Sequence, residues 1–321
     1  MITVIRNNYA RLLTRLPLAL VMTALMLGMI LLAIYVTGGQ QVKGHLAWID
    51  PSGAAPVSSA YLQVEVMSQQ PPLSALVKHQ YDAFVSRPDS GDFKVTTLKN
   101  DEYQAMLLEL LRHPDQAPPA QTGDRGIGSN ILGFLMMFLL MGSFMHVFTF
   151  ADDKEKGLIA RIAVSPVTLT GYLTAQFVYG LSMLLPVYLT LSVLKILGVN
   201  IGFTLGQYAL LLGMIGIWGI SLALFLYACF DKADHATMLG NSVLALTSIL
   251  SGSFYSFSGN NPLLERIISV FPQRQLLEAA GQMEQHAYLS DWTPLLYMAL
   301  VTILLIALSA AKLKSRYERA R

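Results

Sequence analysis

A single cysteine, Cys229, stands among 321 residues, so no disulfide forms within the chain. A domain exposed outside the cytoplasm must then hold together on its apolar core alone. Charge is scarce too: Asp, Glu, Lys and Arg make up 13% of the residues, against 54% hydrophobic. A water-soluble domain carries about 25% charged residues, and half of that cannot cover a soluble protein of this size. The bilayer is the natural solvent. No G-x-x-x-x-G-K-[ST] occurs, so the chain lacks a phosphate-cradling loop and is not expected to hydrolyse ATP by itself. The long apolar runs hold no central Asp or Glu, which argues against coupling to a proton or sodium gradient. The six histidines, at 45, 79, 113, 146, 235 and 286, show no metal-ligand spacing, so no metal site is expected. Ser251-Gly252-Ser253 reads as a small-residue packing contact rather than a nucleophile.

What is present is length. A span needs about 20 mostly apolar residues, and six stretches qualify: 17–36, 128–150, 172–197, 206–230, 236–257 and 294–311. The first is longer than a signal-peptide core and no clear A-x-A site follows it, so it is expected to be retained. Basic residues fix the orientation. Arg6, Arg11 and Arg15 precede the first span; Lys154, Lys156 and Arg161 follow the second; Lys232 follows the fourth; and Lys312, Lys314, Arg316, Arg319 and Arg321 fill the tail 312–321. All fall on one side, which places both termini in the cytoplasm and puts 37–127 and 258–293 outside. Residues 1–16 read as a basic amphipathic helix at the membrane interface, with Ile5, Tyr9, Leu12, Leu13 and Leu16 on one face.

The outer segment 37–127 has soluble composition and reads as a small α/β domain. Strands are expected over 42–49, 81–86 and 93–98, and helices over 58–67 and 73–80. A further helix is expected from an Asn100 N-cap through Leu111, followed by a Pro-rich return over 114–119. Inside, the loop 151–171 crowds charges at its start, continues with an apolar helical turn and stops at Ser165-Pro166.

On these residues the chain resembles a known family. Glu155-x-Gly157-x-x-x-Arg161-Ile162-x-x-Ser165-Pro166-Val167-Thr168 is similar to the coupling loop of type-2 ABC exporter permeases. The segment from Asn261 to Pro272, with its late proline, resembles that family's outer re-entrant segment, here within 258–293. An amphipathic start, one span, an outer insert and five more spans (128–257 and 294–311) complete the pattern. The insert points to the drug, antibiotic and peptide exporters rather than the polysaccharide exporters.

The resemblance implies a non-enzymatic permease subunit in a plasma membrane, bacterial by kind. Its partners would be a separate ABC ATPase carrying ATP and Mg, a second permease (identical or paralogous) and the lipid bilayer; no nucleic acid is expected. Glu155, Gly157, Arg161, Ser165 and Pro166 would couple to the ATPase. Phe134, Met137, Met141 and Phe144 on the second span, continued by Phe148, are spaced to line a path for an amphiphilic cargo, since Met and aromatic side chains re-pack around varied apolar ligands. Asn241, Ser248 and Tyr255 share one face of the fifth span, which would line that path or form the dimer seam. A membrane sensor or assembly factor using the outer domain, and an ion-coupled carrier, are the competing readings.

Overall fold

Inside a bilayer an apolar run satisfies its backbone polar groups only by closing its own helical hydrogen bonds. Among the described residues of the computed structural model, five helical stretches are long and apolar enough to cross a membrane: Leu16–Thr37, Ile127–Glu155, Thr170–Ile196, Leu205–Cys229 and Thr293–Ser315. The structure describes residues 2–14, 16–40, 44–49, 62–78, 80–86, 93–98, 101–113, 125–158, 168–254, 262–286, 289 and 291–320. The chain divides into two units, Met1–Tyr35 with Arg125–Arg321, and Val36–Asp124.

In the first unit the elements are α1 (Ile2–Thr14), α2 (Leu16–Gln40), α5 (Ile127–Glu155), α6 (Leu169–Leu181), α7 (Leu184–Ile196), α8 (Leu205–Cys229), α9 (Ala233–Leu250), α10 (Pro262–Ser269), α11 (Pro272–His286) and α12 (Thr293–Ala320). α5 is the central element. Most of its side chains are buried, among them Leu132, Leu135, Leu139 and Phe144. Around it α2 and α12 keep rows of exposed apolar side chains, such as Leu25, Leu32, Leu300 and Ile303.

Three expectations for the spans change. The third, Thr170–Ile196, has the length and hydropathy to cross but is interrupted at Ser182–Met183, between α6 and α7, because Pro186 has no N–H to donate. The first and last run on beyond their apolar cores, to Gln40 and Ala320. α9 has 18 residues, opens with the polar pair Asp234-His235, and gives way at Ser251 to a turn with Gly252 at φ +85°. It does not meet the length and hydropathy of the other five, and its expected continuation to 257 runs outside the described residues.

The second unit is a four-stranded sheet with helices on both faces. Its strands are β1 (Gly44–Ile49), β2 (Leu62–Met67), β3 (Ala83–Ser86) and β4 (Lys94–Thr97); its helices are α3 (Ser74–Val77) and α4 (Asp101–Arg112). The order is β2-β1-β3-β4, with β1 parallel to both neighbours and β4 antiparallel to β3. The period of two sorts the side chains. Leu46, Trp48, Val85 and Val95 meet Leu107, Leu110 and Leu111 of α4 on one face, while Ala47 and Phe84 meet Ala75 and Leu76 of α3 on the other. The helix expected over 58–67 is corrected to strand β2, where Leu62-Gln63-Val64-Glu65-Val66 alternates and pairs with β1 in register from Gly44↔Leu62 to Ile49↔Met67. The helix expected over 73–80 shrinks to the single turn of α3. Asn100 and the proline-rich stretch 114–119 lie outside the described residues.

Candidate functional site: the junction at the end of α5

Successive residues on a helix point about 100° apart. Four adjacent charged residues at the end of an enclosed helix must therefore find partners in different directions. Asp152, Asp153, Lys154 and Glu155 do so. Asp152 pairs back with Lys156 at 2.9 Å, one turn on. Asp153, 5% exposed, takes the Arg11 guanidinium of α1 at 2.6 Å and the Tyr172 hydroxyl of α6 at 2.8 Å. Lys154 Nζ donates to the carbonyl oxygens of Tyr227, Ala228 and Phe230, at 2.7, 3.1 and 2.6 Å. Those are the orphan acceptors at the negative end of α8, where an ammonium is best placed. Glu155 Oε2 accepts the N–H of Ala233 at 3.3 Å, the opening residue of α9 and the positive end of that helix.

One turn of α5 thus ties α1, α6, α8 and α9 together. A second polar layer backs it: Asn8 Nδ2 donates to Gln176 Oε1 at 3.0 Å, and Thr149 Oγ1 donates to the same oxygen at 3.3 Å. Asn8 is fully buried, so α1 docks on a polar stripe around Asn8 and Arg11, while Leu13 of the expected apolar face stays exposed. The helix stops at once after this turn. Gly157 follows the C-cap Lys156 with φ +69°, a left-handed conformation that glycine adopts without a Cβ penalty. α6 begins at an N-cap, Thr168, whose hydroxyl accepts the N–H of Gly171 at 3.1 Å.

The other end of α5 is held as firmly. Glu284 of α11 accepts the N–H groups of Gly128 and Ser129 at 2.8 and 3.2 Å, so a carboxylate sits on the positive end of the helix. Arg125 donates to the carbonyl of Gly252; burial first, and the like charge of Arg274 second, lowers its guanidinium to about 10. Gln273 Nε2 reaches Thr247 Oγ1 of α9 at 2.7 Å, and the Tyr297 hydroxyl of α12 donates to the Val270 carbonyl at 2.7 Å. The pair α10–α11 is therefore anchored to α5, α9 and α12. Pro272 opens α11, where its missing N–H costs nothing.

Of the residues expected to couple, Glu155 and Gly157 are at the junction; Arg161, Ser165 and Pro166 lie outside the described residues. Glu155 is engaged within the chain, on Ala233. Of the path residues, Phe144 is fully buried, stacked edge-on to Tyr227 at 5.6 Å and lodged where a side chain on Gly240 would collide with its ring. Phe134 is buried beside Phe254 at 5.4 Å. Met137 and Met141 are half-buried. Asn241 and Ser248 point from α9 into the bundle, and Asn241 Oδ1 and Ser248 Oγ find no hydrogen-bond partner among the described residues. Tyr255 lies outside them.

Sequence reasoning missed Arg11, Asp153, Lys154, Tyr172 and Glu284. The signal for Asp153 and Lys154 is the run of unlike charges continuing a span without a turn residue before Gly157; Arg11, Tyr172 and Glu284 carry no such local mark.

No curated protein matches this chain. A family model described as ABC-2 family transporter protein matches residues 15–311, nearly its whole length. Members of that family are membrane permeases that work with an ABC ATPase on a separate subunit and associate as dimers in the membrane. This multi-pass membrane protein belongs to the ABC-2 transporter family, as the permease subunit of an ABC transporter.

Proposed function

We propose that the chain is the membrane half of an exporter that moves an amphiphilic drug, antibiotic, peptide or lipid-like compound outwards, an efflux role of the kind that confers antibiotic resistance. In this reading it crosses the plasma membrane six times, α9 and the residues after it forming the fifth crossing. Both termini are cytoplasmic and the sheet domain is outside. A separate ATPase binds ATP and Mg and grips the loop between α5 and α6. A second permease, identical or paralogous, completes the pathway. The exposed apolar face of α9, with Met238, Val243 and Leu246, is its seam or faces lipid.

The observation that carries the proposal is the four-helix junction at the end of α5. A push on the loop that starts at Gly157 reaches α1, α6, α8 and α9 through the charge-assisted contacts of Asp153, Lys154 and Glu155. A motor that moves one handle and must tilt several spans needs such a connection. Glu155 then transmits from within the permease rather than touching the ATPase, and Arg161, Ser165 and Pro166 remain the positions proposed for that contact.

Gentle purification from the native membrane tests the proposal. An ATPase chain should co-purify, and vesicles holding the pair should concentrate cargo only with ATP and Mg. Repeated isolation at full yield without an ATPase overturns it. The sheet domain, a separate compact unit with its own core, favours one competing reading, a sensor that binds a ligand outside. In that case the same vesicles would move nothing.

A further inference from the structure

Two cavities of the first unit adjoin where α1 meets the spans. One, of about 280 Å³, is walled by Met22 and Met26 of α2, Met145 and His146 of α5, and Met183 and Pro186 at the break between α6 and α7. Four of the fifteen methionines of the whole chain line this one chamber. The thioether side chain adapts its shape to apolar guests. The chamber's polar lining is Tyr9, Thr23, Ser182 and, most buried of these, His146. The His146 Nδ1 lies 3.0 Å from the Gly142 carbonyl and must donate to it, which leaves Nε2 as an acceptor. The second cavity, of about 260 Å³, shares Leu12 and Met145 with the first and is walled by Arg11, Thr14, Asp152 and Lys156. Its charged walls lie at the end of α5 that carries the junction.

We propose that the pair is a binding site for one amphiphile admitted sideways from the cytoplasmic leaflet, its aliphatic chain in the methionine chamber and its polar head between Thr14 and the Asp152–Lys156 pair. Neither cavity suits both ends of such a molecule; the two in line do. The break at Ser182–Met183 lies in the chamber wall, since both residues line it. Phe148, which continues the α5 face named above for the pathway, also walls the second cavity, so the site is where cargo waits before entering the path, or where a membrane lipid props α1. This inference deepens the exporter reading and rests on it for the identity of the guest.

The test is photolabelling of the purified, bilayer-reconstituted full chain, with no ATPase or nucleotide. The probes are a lysophosphatidylcholine and a two-chain phosphatidylcholine, each carrying a diazirine at its chain end. Label should concentrate on the peptides holding Met22–Met26, Met145 and Met183. Ala19→Phe, which fills the chamber, should cut it about tenfold, the effect of overpacking a fitted site, while Leu300→Phe on the exposed face of α12 should not. Thr23→Phe serves the same purpose if Ala19→Phe does not fold. Preference for the single-chain probe identifies a cargo-like guest, and equal labelling identifies a resident lipid. Label spread evenly over α2, α7 and α12 and indifferent to Ala19→Phe overturns the site. That failure would leave ATP-driven transport untouched, whereas failure of the exporter reading would leave the labelling pattern intact.

Discussion

Lys154 reaches the Phe230 carbonyl oxygen at 2.6 Å, and so the ammonium that ends α5 closes the C-terminus of α8. The two residues are 76 positions apart. Their contact makes the exit of one span the cap of another.

Removing that cap should loosen the junction. Lys154→Met keeps the stem and deletes three charge-assisted hydrogen bonds, costing about 1.5–3 kcal/mol. Thermal unfolding in detergent should fall accordingly, with Lys154→Arg intermediate. In the reconstituted complex ATP hydrolysis should persist while transport drops more than stability does.

The pair Arg11–Asp153 should control whether α1 stays docked. Either Arg11→Ala or Asp153→Asn leaves a buried or half-buried polar group short of its partner, at a cost of about 1–3 kcal/mol. Hydrogen exchange over residues 2–14 should rise in both variants. The double exchange Arg11→Asp with Asp153→Arg should restore part of the protection, because the pair survives with its sign reversed.

At the opposite end, Glu284→Ala should expose the first turn of α5. Losing a carboxylate cap costs about 0.5–2 kcal/mol, and Glu284→Gln, which keeps one acceptor, should cost less. Gly133→Ala should be worse than either, since the new methyl group meets the Ser253 backbone carbonyl and neither helix nor turn has room to give. Expression and melting temperature check the ranking.

Cys229 tests the orientation without any mutation. It is exposed at the last residue of α8, on the side proposed to face the cytoplasm. A membrane-impermeant maleimide should label it in inverted vesicles and in open membranes, but not in intact cells.

The sheet domain should unfold on its own account. Leu107 is fully buried under the sheet with Trp48, and Leu107→Ala should cost that domain about 2–5 kcal/mol. Tryptophan emission from Trp48 should shift at lower denaturant, while the spans keep their helical signal.

How far the sequence reaches depends on the range of the interaction. Apolar length is local, so α2, α5 and α8 are found within a few residues. Pro186 lies inside an apolar run that reads as one span, and only its missing donor betrays the break. Around β2 a ten-residue window mixes the helical period of its start with the alternation of 62–67, and the parallel pairing with β1, a distant partner, decides it. The charges 152–156 are visible as a cluster, but their partners sit at Arg11, Tyr172, Phe230 and Ala233. Nothing local distinguishes a residue that reaches inward to those helices from one that reaches out to another protein. Glu284 is the same case, a carboxylate in a polar helix whose use is set by Gly128, 156 positions away.

The central claim is that the loop leaving the junction at Gly157 is held by a separate ATPase, and a photo-crosslinker in place of Arg161 tests it most directly. Irradiated in native membranes, it should give one dominant adduct, with a nucleotide-binding subunit, and Lys154→Met should leave that adduct intact while lowering transport. Adducts with lipid alone, or none at all while ATP-driven transport proceeds unchanged, would contradict the account.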